Sequence, residues 1–300
     1  MEGDRVESIK REKVRVLRVV PLLALLIVGL LSQFVLIEAV PSLCSTKTQM
    51  LQKFSQLEIT YGSMVSSEIV GYTVRGEGIQ MWRVGNLSSE RIILVDASRH
   101  GGEYVTTEAL YLAVKWILTS NNSYAIAVRR YQIFVVPIVN LDKYQLSRYN
   151  SHGVDLNRNF EFKWSVNTNT YRGSFPCSEP ETQAFEYIFS RYEISWYLTL
   201  HAGDYRITPA YWSGMSHPTT FYQSVYSKIS SITRSFGISA ISLVLYGGYA
   251  GTSTNDAYYS HGIYSFTVEC TYSYTPSYST TVKYITQRIQ GVIAGVALYG

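Results

Sequence analysis

Along the chain, short runs of uninterrupted apolar residues alternate with longer stretches in which apolar positions recur every three or four residues. The short runs are 78–85 (GIQMWRVG), 91–97 (RIILVDA), 131–139 (YQIFVVPIV), 195–200 (SWYLTL) and 263–270 (IYSFTVEC). Runs of this length without polar interruption read as strands covered on both sides. Residues 103–119 carry Val105, Leu110, Val114 and Ile117 at helical spacing, and 219–236 and 281–298 read as helices too. Gly237 stands where a C-terminal cap belongs. Ser178-Glu179-Pro180-Glu181 reads as a capping box opening another helix. The alternation predicts one α/β domain: a mixed, largely parallel twisted sheet with helices on both faces. In such sheets ligands bind where strands finish at the carboxyl edge.

One segment breaks the pattern. Val19 to Val40 (VVPLLALLIVGLLSQFVLIEAV) is long and apolar enough to cross a bilayer. Lys13, Arg15 and Arg18 crowd its N-terminal flank. The positive-inside tendency then puts residues 1–18 in the cytoplasm and everything after Val40 outside. A cleaved signal segment ending near Ala39 is the rival, and gives a secreted rather than a membrane-anchored domain. The chain thus divides into a basic tail (1–18), an anchor or signal segment (19–40), a short polar linker leading into a helical turn (41–57) and the folded domain (58–300).

Composition sharpens this picture at three points. Charged residues make up only 16% of the chain and tyrosines number 26, which suits an exported protein. Net charge is +4, half of it in the tail, so no basic patch invites nucleic acid. Cys44, Cys177 and Cys270 fit no zinc-finger or redox spacing. Outside the cytoplasm Cys177 and Cys270 are the better candidates for a bridge, against three buried thiols as the plain alternative. Asn86-Leu87-Ser88 and Asn121-Asn122-Ser123 fit the glycosylation sequon.

Candidate chemistry collects at strand ends. His100-Gly101-Gly102-Glu103 follows the run 91–97, and three-residue spacing in a tight turn lets an imidazole and a carboxylate face one point. His201 ends the run 195–200 at the same edge of the sheet. Each alone is commonly structural, but together His100, Glu103 and His201 form a His₂Glu set suited to catalytic zinc. Glu269 lies inside an apolar strand, where a carboxylate is costly unless paired or used as a general base. The polar loop Gly153-Val154-Asp155-Leu156-Asn157-Arg158-Asn159-Phe160, with Arg148 upstream, carries a guanidinium fork fitted to a carboxylate. A solvated turn is the commoner fate of such a loop.

These runs, S-R-H-G-G-E, V-D-L-N-R-N-F, L-T-L-H-A-G and Y-S-F-T-V-E, resemble in order and rough spacing the zinc carboxypeptidase family typified by pancreatic carboxypeptidase A. The likeness runs from about residue 58 to the end. It implies one zinc ion held by His100, Glu103 and His201, with Asp155 orienting a ligand histidine. It implies water activated by zinc and Glu269, Arg148 over the developing oxyanion, and Asn157 with Arg158 gripping the substrate's terminal carboxylate. Tyr246 and Tyr249 are both candidates for the family's mobile tyrosine, Tyr249 preferred, and Thr254 and Asn255 fall near the side-chain pocket. Asn140-Leu141-Asp142-Lys143 departs from the family's usual N-P-D-G. The implied activity is removal of a C-terminal residue from a peptide or protein. The alternatives are a cell-wall peptide amidase on the same scaffold, and a binding domain without catalysis.

Overall fold

Runs without polar interruption fall where a strand is covered on both sides. The computed structural model describes residues 44–272 and 279–299. In chain order its elements are α1 (Lys47–Thr60), β1 (Val65–Tyr72), β2 (Gly78–Gly85), β3 (Ile92–Asp96), α2 (Val105–Thr119), α3 (Ser123–Val128), β4 (Gln132–Val136), α4 (Pro180–Arg191), β5 (Ile194–His201), β6 (Asp204–Pro209), α5 (Thr219–Ser235), β7 (Ser242–Leu243), α6 (Ser253–Tyr259), β8 (Tyr264–Thr271) and α7 (Ser279–Tyr299). Every residue of β3 and β4 is buried, and β5 exposes only Ser195.

The strands form one sheet in the order β1-β2-β4-β3-β5-β8-β6-β7. Its centre is parallel: β4 with β3, β3 with β5, and β5 with β8. The joins β1-β2, β2-β4 and β6-β8 are antiparallel, and β6-β7 is parallel. The sheet is therefore mixed, with a parallel core. β1 and β6 alternate too weakly to be read from the sequence, because each is only partly buried.

Neighbouring residues on β5 show that both faces are covered, since successive side chains on a strand point to opposite sides. Trp196 stacks on Phe221 of α5, with ring centroids 5.8 Å apart. Tyr197 packs edge-on against Phe189 of α4 at 5.1 Å. α7 lies tightly on α5: a Cβ at Gly295 would come within 2.3 Å of Ile229 Cγ1, and one at Gly291 within 2.1 Å of Thr233 Oγ1. Any larger residue at either position would push the two helices apart.

Two expectations need correcting, and one alternative left open by the sequence is resolved. The stretch assigned to a linker, 41–57, is from Lys47 onward a helix belonging to the domain. Thr46 and Gln49 cap it reciprocally, and Met50, Phe54 and Leu57 recur on one buried face. Phe54 packs on Trp82 of β2 at 4.9 Å and on Tyr111 of α2 at 5.6 Å. The capping box at Ser178 does not form: Glu179 is the N-cap and makes no side-chain cap bond. Ser178 Oγ instead donates to Glu179 Oε1, while Glu181 Oε1 accepts the Val74 N–H from a distant loop. Cys177 and Cys270 are not bridged, and Cys270 is sealed in the core. The proposed span 19–40 and the tail 1–18 lie outside the described residues. Among the described residues no helix is long and apolar enough to cross a membrane.

Candidate metal centre and active site

The ends of β3 and β5 are locked together just beneath the candidate ligands. Arg99 and Asp96, both fully buried, pair at 2.5 Å, and Tyr197 Oη donates to the same Asp96 oxygen. The Arg99 guanidinium lies over the Phe185 ring at 4.2 Å. Removing either partner of such a buried pair costs about 3–5 kcal/mol, so the register of the two strand ends is firmly set. The 3₁₀ turn Gly101–Glu103 then folds back over the edge. Gly101 is needed there for close approach: a Cβ would sit 2.1 Å from the Lys143 carbonyl oxygen. Gly102 has open space, so only one of the two glycines is sterically required.

Three buried side chains meet at this edge. His100 Nδ1 is 2.7 Å from Glu103 Oε1, and His201 Nδ1 is 2.9 Å from Glu103 Oε2. One ligand atom from each residue lies within 4.8 Å of the others. The far side of each imidazole has its own partner. His100 Nε2 is 3.0 Å from Asp155 Oδ1. His201 Nε2 is 3.2 Å from Thr199 Oγ1, whose hydroxyl donates onward to Asp96. Both acceptors favour the tautomer with hydrogen on Nε2, which turns the Nδ1 lone pairs inward to join the carboxylate. Three converging lone-pair donors are the chemistry of a cation site, and a His₂Glu set fits catalytic zinc.

The carboxylate of the centre is held in its ionised form, as a metal ligand must be. Burial alone would push the Glu103 carboxyl up, but the two imidazoles override it and hold it well below the usual carboxylate range. Asp155 behaves the same way: burial opposes its charge, and His100, then Arg148 and Arg158, hold it ionised. Asp155 also accepts the Asn157 N–H at 2.9 Å, fixing the turn Leu156–Arg158.

Glu269 is different. In the register of β5 and β8 it stands opposite His201. Burial raises its pKa, and its Oε2 has no hydrogen-bond partner. A buried carboxylate oxygen without a donor is expensive in a structural role and apt for proton transfer.

The remaining sequence candidates line the same cavity as His100, Glu103, His201 and Glu269. Arg148 donates from Nε to Asp155 Oδ2 at 2.9 Å, with Nη2 also 2.9 Å from that oxygen and Nη1 3.9 Å from Glu103. Asn157 accepts the Ser253 N–H of α6 at 3.0 Å, and its Nδ2 lies 3.5 Å from His201 Nε2. The Arg158 guanidinium lies 4.8 Å from the centre of the Tyr249 ring. Tyr249 and Tyr246 are both exposed at the mouth, Tyr246 edge-on to Tyr211. Asn255 lines the cavity with its amide already engaged: Oδ1 accepts Tyr211 N–H, and Nδ2 donates to Tyr211 O and Tyr249 O. Thr254 shares a 2.6 Å hydrogen bond with Thr267.

Sequence reasoning missed Arg206, Thr208 and Thr267, which also line the cavity. Arg206 faces Glu269 across the β6-β8 register. Its signal lay in the alternation of Asp204–Pro209, too short and polar to stand out.

An α/β sheet with a His₂Glu cluster and an ionisable glutamate at its parallel carboxyl edge is a metallohydrolase arrangement. The chain belongs to the zinc carboxypeptidase family, whose description matches residues 50–291. It is 27% identical to bovine (Bos taurus) carboxypeptidase O over 183 residues, 51% of this chain and 49% of that protein. It is 32% identical to murein peptide amidase A of Escherichia coli K12 over 137 residues, 40% of this chain and 53% of that one. The chain thus spans about half the length of relatives it matches by sequence. Carboxypeptidase A from Helicoverpa armigera shares the fold with a TM-score of 0.74 at 18% identity, covering 85% of this chain and 73% of that structure.

Proposed function

We propose that this protein hydrolyses the last peptide bond of peptides or proteins, releasing the C-terminal residue. The observation that carries the proposal is the unpartnered Glu269 Oε2 in one cavity with the converging Nδ1 and carboxylate donors of His100, His201 and Glu103. Those three residues would hold zinc, which when bound supplies Lewis acidity toward water and a carbonyl oxygen. Glu269, raised by burial, accepts the proton of the attacking water and returns it to the leaving amine. Arg148, partly exposed and held by Asp155, points its spare donor capacity toward Glu103 and is placed to meet the negative charge that develops on the carbonyl oxygen. Arg158, with Asn157, offers a fork to a free carboxylate, which restricts cutting to the chain end.

The test is a panel of peptides differing in their last residue, with free or amidated C-termini, with and without a chelator. The expected result is release from free C-termini only, abolished by chelator and by Glu269→Gln. Equal cleavage of amidated peptides would overturn the exopeptidase reading.

A second reading has support in the match to a murein peptide amidase and in the polar lining from Thr208, Thr254 and Thr267. There the recognised carboxylate belongs to a cell-wall peptide, and muropeptides would be cut in preference to L-peptides. In either case the apolar segment 19–40 and its basic flank support a domain held outside the cytoplasm, which protease treatment of intact cells would test.

A further inference from the structure

One residue along α6 from Asn255, Asp256 does not line the cavity and instead joins a separate cluster. Glu186 comes from α4, Asp256 from α6, and His261 from the turn after α6. One ligand atom from each lies within 4.8 Å of the others. His261 Nε2 is 3.1 Å from Glu186 Oε2 and 3.4 Å from Asp256 Oδ2.

The polar atoms of this cluster do not balance. The Asp256 side chain is fully buried. Its Oδ1 accepts the Phe162 N–H at 2.8 Å and the Ser260 hydroxyl at 3.0 Å, but its Oδ2 has no hydrogen-bond partner. Glu186 Oε1 is likewise shielded and receives no N–H or O–H hydrogen bond, the Cys177 thiol being the weak donor beside Glu186. Two carboxylates therefore share one imidazole nitrogen, which reaches Asp256 Oδ2 only as a 3.4 Å ion pair, and neither Asp256 Oδ2 nor Glu186 Oε1 receives an N–H or O–H hydrogen bond. Buried acceptors without donors are rare in native proteins unless an ion or water completes them. The Cys177 thiol stands close enough that, after burial, the charges of Glu186 and Asp256 push its pKa up. Imidazole and carboxylates beside a thiol suit a first-row transition ion better than calcium or magnesium.

We infer that Glu186, Asp256 and His261 form a second divalent-cation site, of the zinc class, that ties α4 to α6. It is distinct from the His100/Glu103/His201 centre. Because α6 carries Thr254 and Asn255, an ion here fixes a wall of the catalytic cavity without entering the hydrolytic chemistry.

The experiment is elemental analysis of the full chain after chelator treatment, reloading with zinc and desalting, compared with variants. His261 and Glu186 are partly exposed, so His261→Gln and Glu186→Gln are mild changes, and circular dichroism confirms folding. The expected counts are two zinc ions for wild type, one for H261Q, one for E186Q, one for H201A and none for H201A/H261Q. Added zinc should raise the melting temperature of H201A and leave that of H201A/H261Q unmoved. One zinc in both wild type and H261Q, with no zinc-dependent melting shift in H201A, would overturn the site. The H201A count reads the catalytic centre and the H261Q count reads this one, so failure of either is separately visible.

Discussion

The catalytic cavity has two ends, and they are built differently. At the ligand end, side chains stand on or just after β3 and β5, and every ligand nitrogen and oxygen faces a named partner. At the recognition end, the wall runs from the loop 246–252, with Gly247 and Gly251 at positive φ, into the first turn of α6 at Asn255. Its tyrosines are exposed, and the Asn255 amide is spent on backbone. On the proposed reading, the reacting groups stand on strand ends that cannot shift, while substrate recognition falls to a wall where Tyr246 and Tyr249 are open to solvent and Thr254 and Asn255 are buried.

The largest test of the comparison is Glu269→Gln, which changes one atom at the rigid end. It should keep zinc and fold, yet lower kcat by about 10²–10⁴-fold. A second readout follows from linkage. Folding raises the Glu269 pKa, chiefly through burial, so its ionised form is disfavoured in the folded state. The Glu269 contribution to the stability of the metal-free chain is then full below the ordinary carboxylate range and declines as pH rises through the folded pKa. The glutamine variant lacks that decline. Metal-free E269Q should therefore unfold at higher denaturant than wild type at neutral pH, with the gap closing in acid. A constant gap across pH would show that Glu269 is not held in a charge-averse site.

Arg158→Lys is the next largest. A point charge replaces a fork, and a charge-assisted hydrogen bond contributes about 1.5–3 kcal/mol. For free C-termini kcat/KM should fall about 10–150-fold, and any trace turnover of amidated peptides should not change. If both substrates lose equally, Arg158 supports the loop around Tyr249 rather than gripping a carboxylate.

The rigid end was readable before any coordinates, and the reason is physical. His100, Glu103, His201 and Glu269 each sit in or directly after an apolar run, so position and chemistry reinforce each other. The same logic located the parallel core through β3, β4 and β5. It failed where burial is partial: β1 and β6 left no clean period, and Arg206 went unnoticed with β6. It failed at α1 because Met50, Phe54 and Leu57 are three apolar residues among polar ones, and only the packing against Trp82 and Tyr111 makes them a core face. Asn255 illustrates a further limit: sequence placed it at the cavity, but only the Tyr211 and Tyr249 backbone contacts reveal that its amide is already engaged.

Asp155→Asn probes the rigid end one contact away from the ligands. Asparagine keeps the shape but loses the charge facing His100 and Arg148. Outer partners of ligand histidines typically affect metal affinity by about 10–100-fold, and that is the expected loss in a zinc competition assay. With saturating zinc most of the activity should return. If zinc affinity is unchanged while kcat falls, the carboxylate serves Arg148 rather than the imidazole.

The smallest effects belong to the recognition loop. The Tyr249 ring lies 4.8 Å from the Arg158 guanidinium and is more than half exposed. A cation–π contact at an exposed site contributes about 0.5–1 kcal/mol. Tyr249→Ala should therefore raise KM about 2–5-fold by loosening Arg158, with kcat little changed. Tyr249→Phe keeps the ring and should match wild type within about twofold. These two variants decide whether the ends of the cavity truly differ in kind. A loss of tenfold or more in kcat for the phenylalanine variant would mean that the hydroxyl reaches the reacting bond. The loop would then belong to the chemistry, and the division between a fixed catalytic end and an open recognition end would fail at Tyr249.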